Sequence, residues 1–425
     1  MNILLINPVI RADKEPNIPP IGIAYVAQVL WNQGYGVEVL DINAHRYSDG
    51  SVESAIMSSY SDIFAIGGMI TTYQEIEKLS EMVHKHHPEK PLLVGGSITS
   101  SIPEILQKEI PYATLIIGEG EVATAHAIRD YEYGFLKDVY QSPPIECLDT
   151  IPVPDYNRIF GKETMEIYAK NPVGGVNVRK WIDGKPVDGG RSMPLIGGRG
   201  CPFNCRFCSS DFLGLKPRYR SIDGLIAEIV WLKENFGVDY VHFCDDLFTN
   251  NNQRVVDFCD ELMKCNLDLM WGCACRVDLT DMETFEMMRD ARCIQIGTGV
   301  ESFSQDIQYR MGKRMDVEKV KKNLIFAKDI MPATSYTLII GFPGEDELSL
   351  KETSKAIKEV GFGPEQVFFA TPYPKTWLYD YAIRNGYIKN ELEYIKSLSE
   401  QSDFRINFTG LDDEVLKKWR GDLLG

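Results

Sequence analysis

Short, almost unbroken apolar runs recur along this chain, each followed by an amphipathic stretch, and that alternation restricts the fold more than any other feature. In the first 130 residues the runs fall at 3–6, 37–40, 63–66, 92–94 and 115–117. Runs with so little polar alternation predict strands buried on both faces, as in a parallel sheet. Between them, residues 22–31 set Ile23, Val26, Ala27 and Leu30 on one helical face. Residues 73–86 do the same with Ile76, Leu79, Met82 and Val83. The pattern predicts an α/β fold opening with a doubly wound, Rossmann-like sheet, whose ligands bind beyond the carboxyl ends of the strands.

The loops at those ends are rich in glycine. Pro20 closes the loop after the first strand, and the third strand runs into Gly67, Gly68 and Met69, then Thr71 and Thr72. The fourth ends in Gly95, Gly96 and Ser97, and the fifth in Gly118, Glu119, Gly120 and Glu121. Glycine lets backbone approach a large ligand closely. The hydroxyls can donate hydrogen bonds, and helix N-termini beyond them favour anionic groups. No Gly-x-Gly-x-x-Gly follows the first strand, which speaks against a dinucleotide.

The strand–helix pattern resumes in the second half, with strands expected at 193–197, 239–243, 270–275, 293–298, 334–340 and 366–371. A helix at 224–236 turns Leu225, Ile226, Ile229, Leu232 and Phe236 inward, and Gly237 can cap it. The first of these strands delivers Cys201-Pro-Phe-Asn-Cys205-Arg-Phe-Cys208. Thiolates hold iron–sulfur clusters, and three of them leave one iron of a cubane without a protein ligand. A structural zinc wants four ligands, usually as two Cys/His pairs, and no second pair follows at that spacing.

The cysteine run resembles the signature of the radical S-adenosylmethionine (SAM) superfamily. The glycine-ended loops resemble the cobalamin-binding domain found ahead of many of its members, so nearly the whole chain is similar to the class B radical SAM methyltransferases. The resemblance implies a 4Fe-4S cluster on Cys201, Cys205 and Cys208, SAM on the open iron, and a partial (β/α)6 barrel. It places Phe207 beside the adenine, Asp245 and Asp246 near the SAM amino group, and Arg276 on the SAM carboxylate. Glu301 would accept from SAM hydroxyls or its ammonium, and Gly341 ends the fifth barrel strand. It places cobalamin on the loops of Pro20, Gly67, Gly68, Met69, Thr71, Thr72, Gly95, Gly96, Ser97, Gly118, Glu119, Gly120 and Glu121. Many relatives ligate cobalt with a histidine after the first strand. Loop 8–20 has none, so the expectation is cobalamin with its own base displaced and no histidine below cobalt. Lys375 stands where relatives often have glycine.

The expected organisation is a cobalamin-binding domain at 1–141, a proline-rich linker with a hairpin at 142–190, a radical SAM domain at 191–378 and a helical segment at 379–425. Of ten cysteines, nine lie between Cys201 and Cys293. An oxygen-sensitive cluster needs a reducing compartment, so the other seven are expected as buried thiols in a cytoplasmic, anaerobic enzyme. Cys273 and Cys275 are two apart on an expected strand, one of them facing the barrel lumen. His84, His86 and His87 end a helix and are expected to be solvated. A net charge of −16 argues against nucleic acid, whose phosphates need a basic surface, and no apolar run is long enough for a membrane span.

The implied activity is methylation of an unactivated carbon. One SAM supplies the methyl to cobalt, and a second gives the 5′-deoxyadenosyl radical that takes a hydrogen from the substrate. A peptide or protein side chain, such as a glutamine of methyl-coenzyme M reductase, is preferred to a small molecule, with an external electron donor. Ring formation without methylation and a catalytically silent cobalamin or redox sensor are the alternatives. A methylthiotransferase would carry three more N-terminal cysteines, and only Cys147 precedes Cys201.

Overall fold

A computed structural model of the chain describes residues 1–170, 191–209, 213–399 and 403–425. The hairpin expected near 176–187 lies outside the described residues. The chain divides into two compact units, Met1–Pro172 with Asn390–Ser399, and Val173–Lys389 with Glu400–Gly425.

In the first unit, β1 (Asn2–Asn7), β2 (Gly36–Asp41), β3 (Ile63–Gly67), β4 (Leu92–Gly95), β5 (Ala113–Ile117) and β6 (Val139–Gln141) form one sheet, in the order β2-β1-β3-β4-β5-β6. Every pairing is parallel. Ile3 and Ile6 are fully buried, and Leu4 and Leu5 nearly so, because helices cover both faces of such a sheet. The order reverses between β1 and β3, and their carboxyl ends form the switch point where ligands bind. The sixth strand was not legible, since Val139 to Gln141 is too short to carry a pattern.

The segment after Pro144 is more than a tether. Asp155 N–H donates to Gln28 Oε1 at 2.9 Å, and the helix Tyr156–Lys170, broken at Gly161, puts Tyr168 against Asp41. The segment expected at 379–425 is shared out. The helix Glu391–Ser397 returns to the first unit, where Lys396 pairs with Glu77 at 3.0 Å. The helix Asp413–Leu424 packs on the second unit, with Arg420 Nε donating to Val367 O. Of the histidines that end the helix Tyr73–His86, His84 is exposed as expected, while His86 and His87 are half-buried. His84 stacks on Tyr112 at 4.0 Å, His86 meets Glu53, and His87 bonds to Ile56 O.

The second unit holds β7 (Ser192–Leu195), a two-stranded ribbon of β8 (Gly198–Arg199) and β9 (Arg218–Tyr219), then β10 (Tyr240–Phe243), β11 (Met270–Ala274), β12 (Cys293–Glu301), β13 (Ser335–Ile340) and β14 (Gln366–Phe369). Six of them pair in parallel in the order β14-β13-β12-β11-β10-β7, the winding of a partial barrel. One face is packed by helices. There Phe243, Phe248, Phe258 and Trp271 meet edge to face or tilted, with centroids 4.2–5.8 Å apart, which aromatic quadrupoles favour. Cys273 and Cys275 share that face, and neither lines the lumen. Side chains two apart on a strand point the same way, so both follow Trp271 outward. Cys275 ends beside Thr280, at 3.4 Å.

Candidate active site

The cysteine loop follows β7 and β8 and is sewn down by its own backbone. Cys201 N–H donates to Gly214 O, Arg206 N–H to Met311 O at 2.8 Å, and Leu378 N–H to Arg206 O at 2.9 Å. Gly200 is left-handed (φ +89°), and a Cβ there would come within 2.6 Å of Gly214 O. Cys201 and Cys205 are half-buried, Cys208 is exposed, and all three are free thiols. Burial raises the Cys205 thiol to about 11, opposed by the charges of Lys313 and Arg276. Cys201 is also pushed up by burial, and Asp246 adds to this. Among the described residues no three Cys, His, Asp or Glu side chains already form a ready metal set. The fit to a cluster rests on the donor set itself, three free thiols on one braced loop beside two cations. Metal binding would displace their protons.

Glu301 ends β12 in the left-handed region (φ +67°), where the register to β13 shifts after Gly299. Such a backbone costs on the order of 1–3 kcal/mol and persists only where its surroundings hold it. Lys313 holds it here, donating from Nζ to Glu301 Oε1 at 2.6 Å, with both side chains nearly buried. A Cβ on Gly299 would strike both Glu301 Oε1 and Lys313 Nζ, so that glycine makes room for the pair. Arg276 donates from Nε and Nη2 to the two oxygens of Asp278 at 3.0 and 2.9 Å, and from Nη2 to Lys313 O. Its guanidinium lies 4.1 Å from the centre of the Phe203 ring, and Lys313 Nζ lies 5.9 Å from that of Phe207.

Asp245 and Asp246 are committed to backbone. Asp245 accepts from Gly197 N–H at 2.6 Å and also from Gly198, and burial pushes its carboxyl up to about 7. Asp246, which is exposed, accepts from Gly200. Together they hold the strand edge that leads into the cysteine loop. Gly341 (φ +85°) begins a turn whose N–H groups bond to the buried Glu345. Lys375, exposed at φ +68°, occupies a backbone position that suits glycine.

At the strand ends of the first unit the glycines divide by role. Gly118 is left-handed (φ +82°), and a Cβ there would enter open space, as it would at Gly22. Met69 stays 40% exposed. These points of the strand-end loops are open. Gly68 and Gly96 serve a different purpose from the open approach that sequence suggests. A Cβ on Gly96 would strike Gly68 O, and one on Gly68 would meet Ile76 and, at 2.7 Å, Thr72 Oγ1. They let the β3 and β4 loops pack on each other. Gly67, Gly95 and Gly120 would each meet an apolar side chain, Ile23, Ile116 and Val26 respectively, at 3.2–3.6 Å.

Thr72 closes its own turn, donating to Met69 O and accepting from Met69 N–H. Glu119 accepts from Ile145 N–H. Thr71 and Ser97 lie half-buried at the loops, Glu121 is buried in the first turn of its helix, and Pro20 precedes the helix Ile21–Asn32. At the ends of β1 and β2, Asn7 and Tyr168 both donate to Asp41 at 2.8 Å, whose carboxyl burial pushes up. His45 bonds to Thr164 at 2.9 Å and stacks on Tyr47.

Lys313, Asp278 and Phe203 were not singled out from sequence. Phe203 lay inside the cysteine run. Lys313 belongs to a turn after the helix Gln305–Arg310, where no periodicity marks it.

The chain thus joins a parallel sheet with glycine-rich strand ends to a second parallel sheet that carries three cysteines on one loop. Residues 195–357 match the model of the Radical SAM superfamily, and residues 8–128 that of the B12 binding domain. The chain therefore carries a B12-binding domain ahead of a radical SAM domain, and the cofactors these two domains imply are a 4Fe-4S cluster, SAM and cobalamin. It is 26% identical to an uncharacterized methyltransferase of Pyrococcus horikoshii, over 87% of this chain and 79% of that one. It is also 26% identical to the anaerobic magnesium-protoporphyrin IX monomethyl ester cyclase of Rubrivivax gelatinosus, over 88% and 68%. Among solved structures it resembles the radical SAM methyltransferase TsrM from Kitasatospora setae, with cobalamin and a 4Fe-4S cluster bound. That TM-score is 0.68 at 16% identity, over 89% of this chain and 73% of that chain. No helix among the described residues is long and apolar enough to cross a membrane.

Proposed function

We propose that this chain is a cobalamin-dependent methyltransferase that places a methyl group on an unactivated carbon. The observation that carries the reading is the cysteine loop whose Phe203 and Phe207 meet Arg276 and the Lys313–Glu301 pair, in a chain with a B12-binding domain. When bound, the cluster, SAM and cobalamin supply radical formation and methyl transfer. The chain's own residues position and shield. Cys201, Cys205 and Cys208 hold the cluster, and Lys313 and Arg276 offset its thiolate charge. Phe203 and Phe207 offer ring faces to an adenine, and Glu301, fixed through Oε1, keeps Oε2 for a hydroxyl or ammonium donor. Asp245 and Asp246 act through the Gly197–Gly200 backbone, and Asp246 is the one open to a ligand.

The substrate we favour is a peptide side chain, for example glutamine of methyl-coenzyme M reductase, with electrons from an external donor in the cytoplasm. Anaerobic enzyme reconstituted with cobalamin and methyl-labelled SAM, given a strong reductant and glutamine peptides, should yield product heavier by one methylene and carrying the label. Release of 5′-deoxyadenosine with no labelled product would sink the reading. The equal similarity to a cyclase supports one second reading, ring formation, whose product gains no methylene.

A further inference from the structure

Beneath the strand ends of the second unit, the lumen face carries a polar group that the cofactors do not use. Register places Tyr240 and His242 of β10 on this face, beside Met270 and Gly272 of β11, with Gln295 of β12 next in line. The Tyr240 hydroxyl donates to Gln295 Oε1 at 2.7 Å and lies 2.9 Å from His242 Nδ1. A hydroxyl has one proton to give. With Gln295 presenting Oε1 to the hydroxyl, Tyr240 spends its proton there, which assigns the Nδ1 proton to His242 and the lone pair to Nε2. A Cβ at Gly272 would strike the Tyr240 hydroxyl, so this glycine lets the bond cross β11. Burial holds the ring neutral, lowering His242 to about 4 against the opposing pull of Gln295.

Above this group the lumen face carries small side chains. Closed barrels pack their interiors with layers of large branched side chains, but here the next level holds Cys244, Ala274 and Gly297. A Cβ at Gly297 would meet nothing within 4 Å. Cys244 is exposed to this space, yet its thiol is pushed up to about 12 by surroundings that disfavour charge. Small side chains and an exposed thiol whose charged form is disfavoured make this level of the lumen face open and weakly polar.

We propose that His242 is a specificity-determining residue of this face, accepting at Nε2 an N–H or O–H from a neutral amide or hydroxyl of the substrate. This rests on the reading that the barrel binds an organic substrate, and it narrows that substrate to groups that are uncharged where they enter. Tyr240 and Gln295 fix the tautomer, and Gly272, Ala274 and Gly297 supply the room.

Cluster- and cobalamin-loaded enzyme is titrated with propionamide, propanol and propionate, and binding is read by saturation-transfer NMR. Propionamide and propanol should bind and propionate should not. His242→Phe should weaken propionamide by about fivefold, the loss of one neutral hydrogen bond, and His242→Gln, which keeps an acceptor, should restore it. Equal binding to wild type and His242→Phe, or propionate binding as well as propionamide, overturns the proposal. If His242→Phe fails to fold, as judged by melting and iron content, 15N-histidine spectra of the wild type decide. A proton on Nδ1 supports the assignment, and one on Nε2 overturns it. None of these readouts needs methyl transfer, so failure to methylate peptides and failure of this site are told apart.

Discussion

The two parallel sheets solve opposite problems at their carboxyl ends. In the first unit the ends of β3, β4 and β5 are rich in glycine, with open space at Gly118 and close loop packing at Gly68 and Gly96, and the polar side chains Thr72, Glu119 and Asp41 are turned on the protein itself. In the second the ends present charge, with Glu301 paired to Lys313, Arg276 forked to Asp278, and three thiols between them. A large preformed ligand such as cobalamin is held by shape, which needs side chains removed. A cluster with SAM on it presents separated charges, which need fixed partners in a low-dielectric setting. The lesson is that one architecture serves either purpose, and the residue at the strand end decides which.

The sharpest break of that comparison is Cys205→Ala. It should abolish reductive SAM cleavage and lower the iron content while cobalamin still binds, because the thiols belong to the second unit alone. Cleavage and iron that survive the change would remove the cysteine loop from the site. Next in size is Lys313→Met, which strands a nearly buried Glu301. Breaking such a pair costs about 3–5 kcal/mol, seen as a lower melting temperature of the second unit. Lys313→Met with Glu301→Gln should recover most of it, and no recovery would mean that Lys313 acts elsewhere.

The glycines of the first unit sharpen the contrast. Gly96→Ala drives a methyl into Gly68 O in a left-handed backbone, and should cost that unit about 2–3 kcal/mol. Gly118→Ala meets open space and should cost only about 1 kcal/mol for its backbone. Gly118→Trp should then weaken cobalamin binding more than it lowers stability, and normal occupancy in that variant would move the cobalamin site away from the β5 loop. Arg276→Ala should weaken SAM by about 1–2 kcal/mol through a lost charge-assisted bond, and unchanged affinity in titration calorimetry would confine Arg276 to bracing Lys313. The smallest effect is spectroscopic. Loop 8–20 has no histidine, and His45 is held by Thr164 and Tyr47. Bound Co(II) should therefore show no superhyperfine splitting from an axial nitrogen, and its appearance would reveal a ligand from elsewhere.

Both sheets were legible because buried parallel strands are written as continuous apolar runs, so residues 3–6 and 63–66 announce β1 and β3 without help from the rest of the chain. The cysteine loop proposed to hold the cluster was legible for a similar reason, since three thiols in eight residues carry their chemistry in their spacing. Cys273 and Cys275 show where such reading fails. The strand was recognised, but their facing depended on Trp271, Phe243 and Phe258 claiming the helix side. Glu391–Ser397 is a helix by its pattern, yet nothing local says that Lys396 will reach Glu77.

The sequence by itself determined the two α/β units, the close spacing of three cysteines on one loop and the glycine-rich ends of β3 to β5, because each is encoded over a few neighbouring residues. Only the tertiary structure decided which glycines face open space and which clear space for another loop. It also paired Glu301 with Lys313 across Gly299, turned Asp245 onto Gly197, and set His242 against Tyr240 and Gln295. Those outcomes depend on register between strands far apart in the chain. A side chain's partner is fixed only when the sheet that carries it has closed.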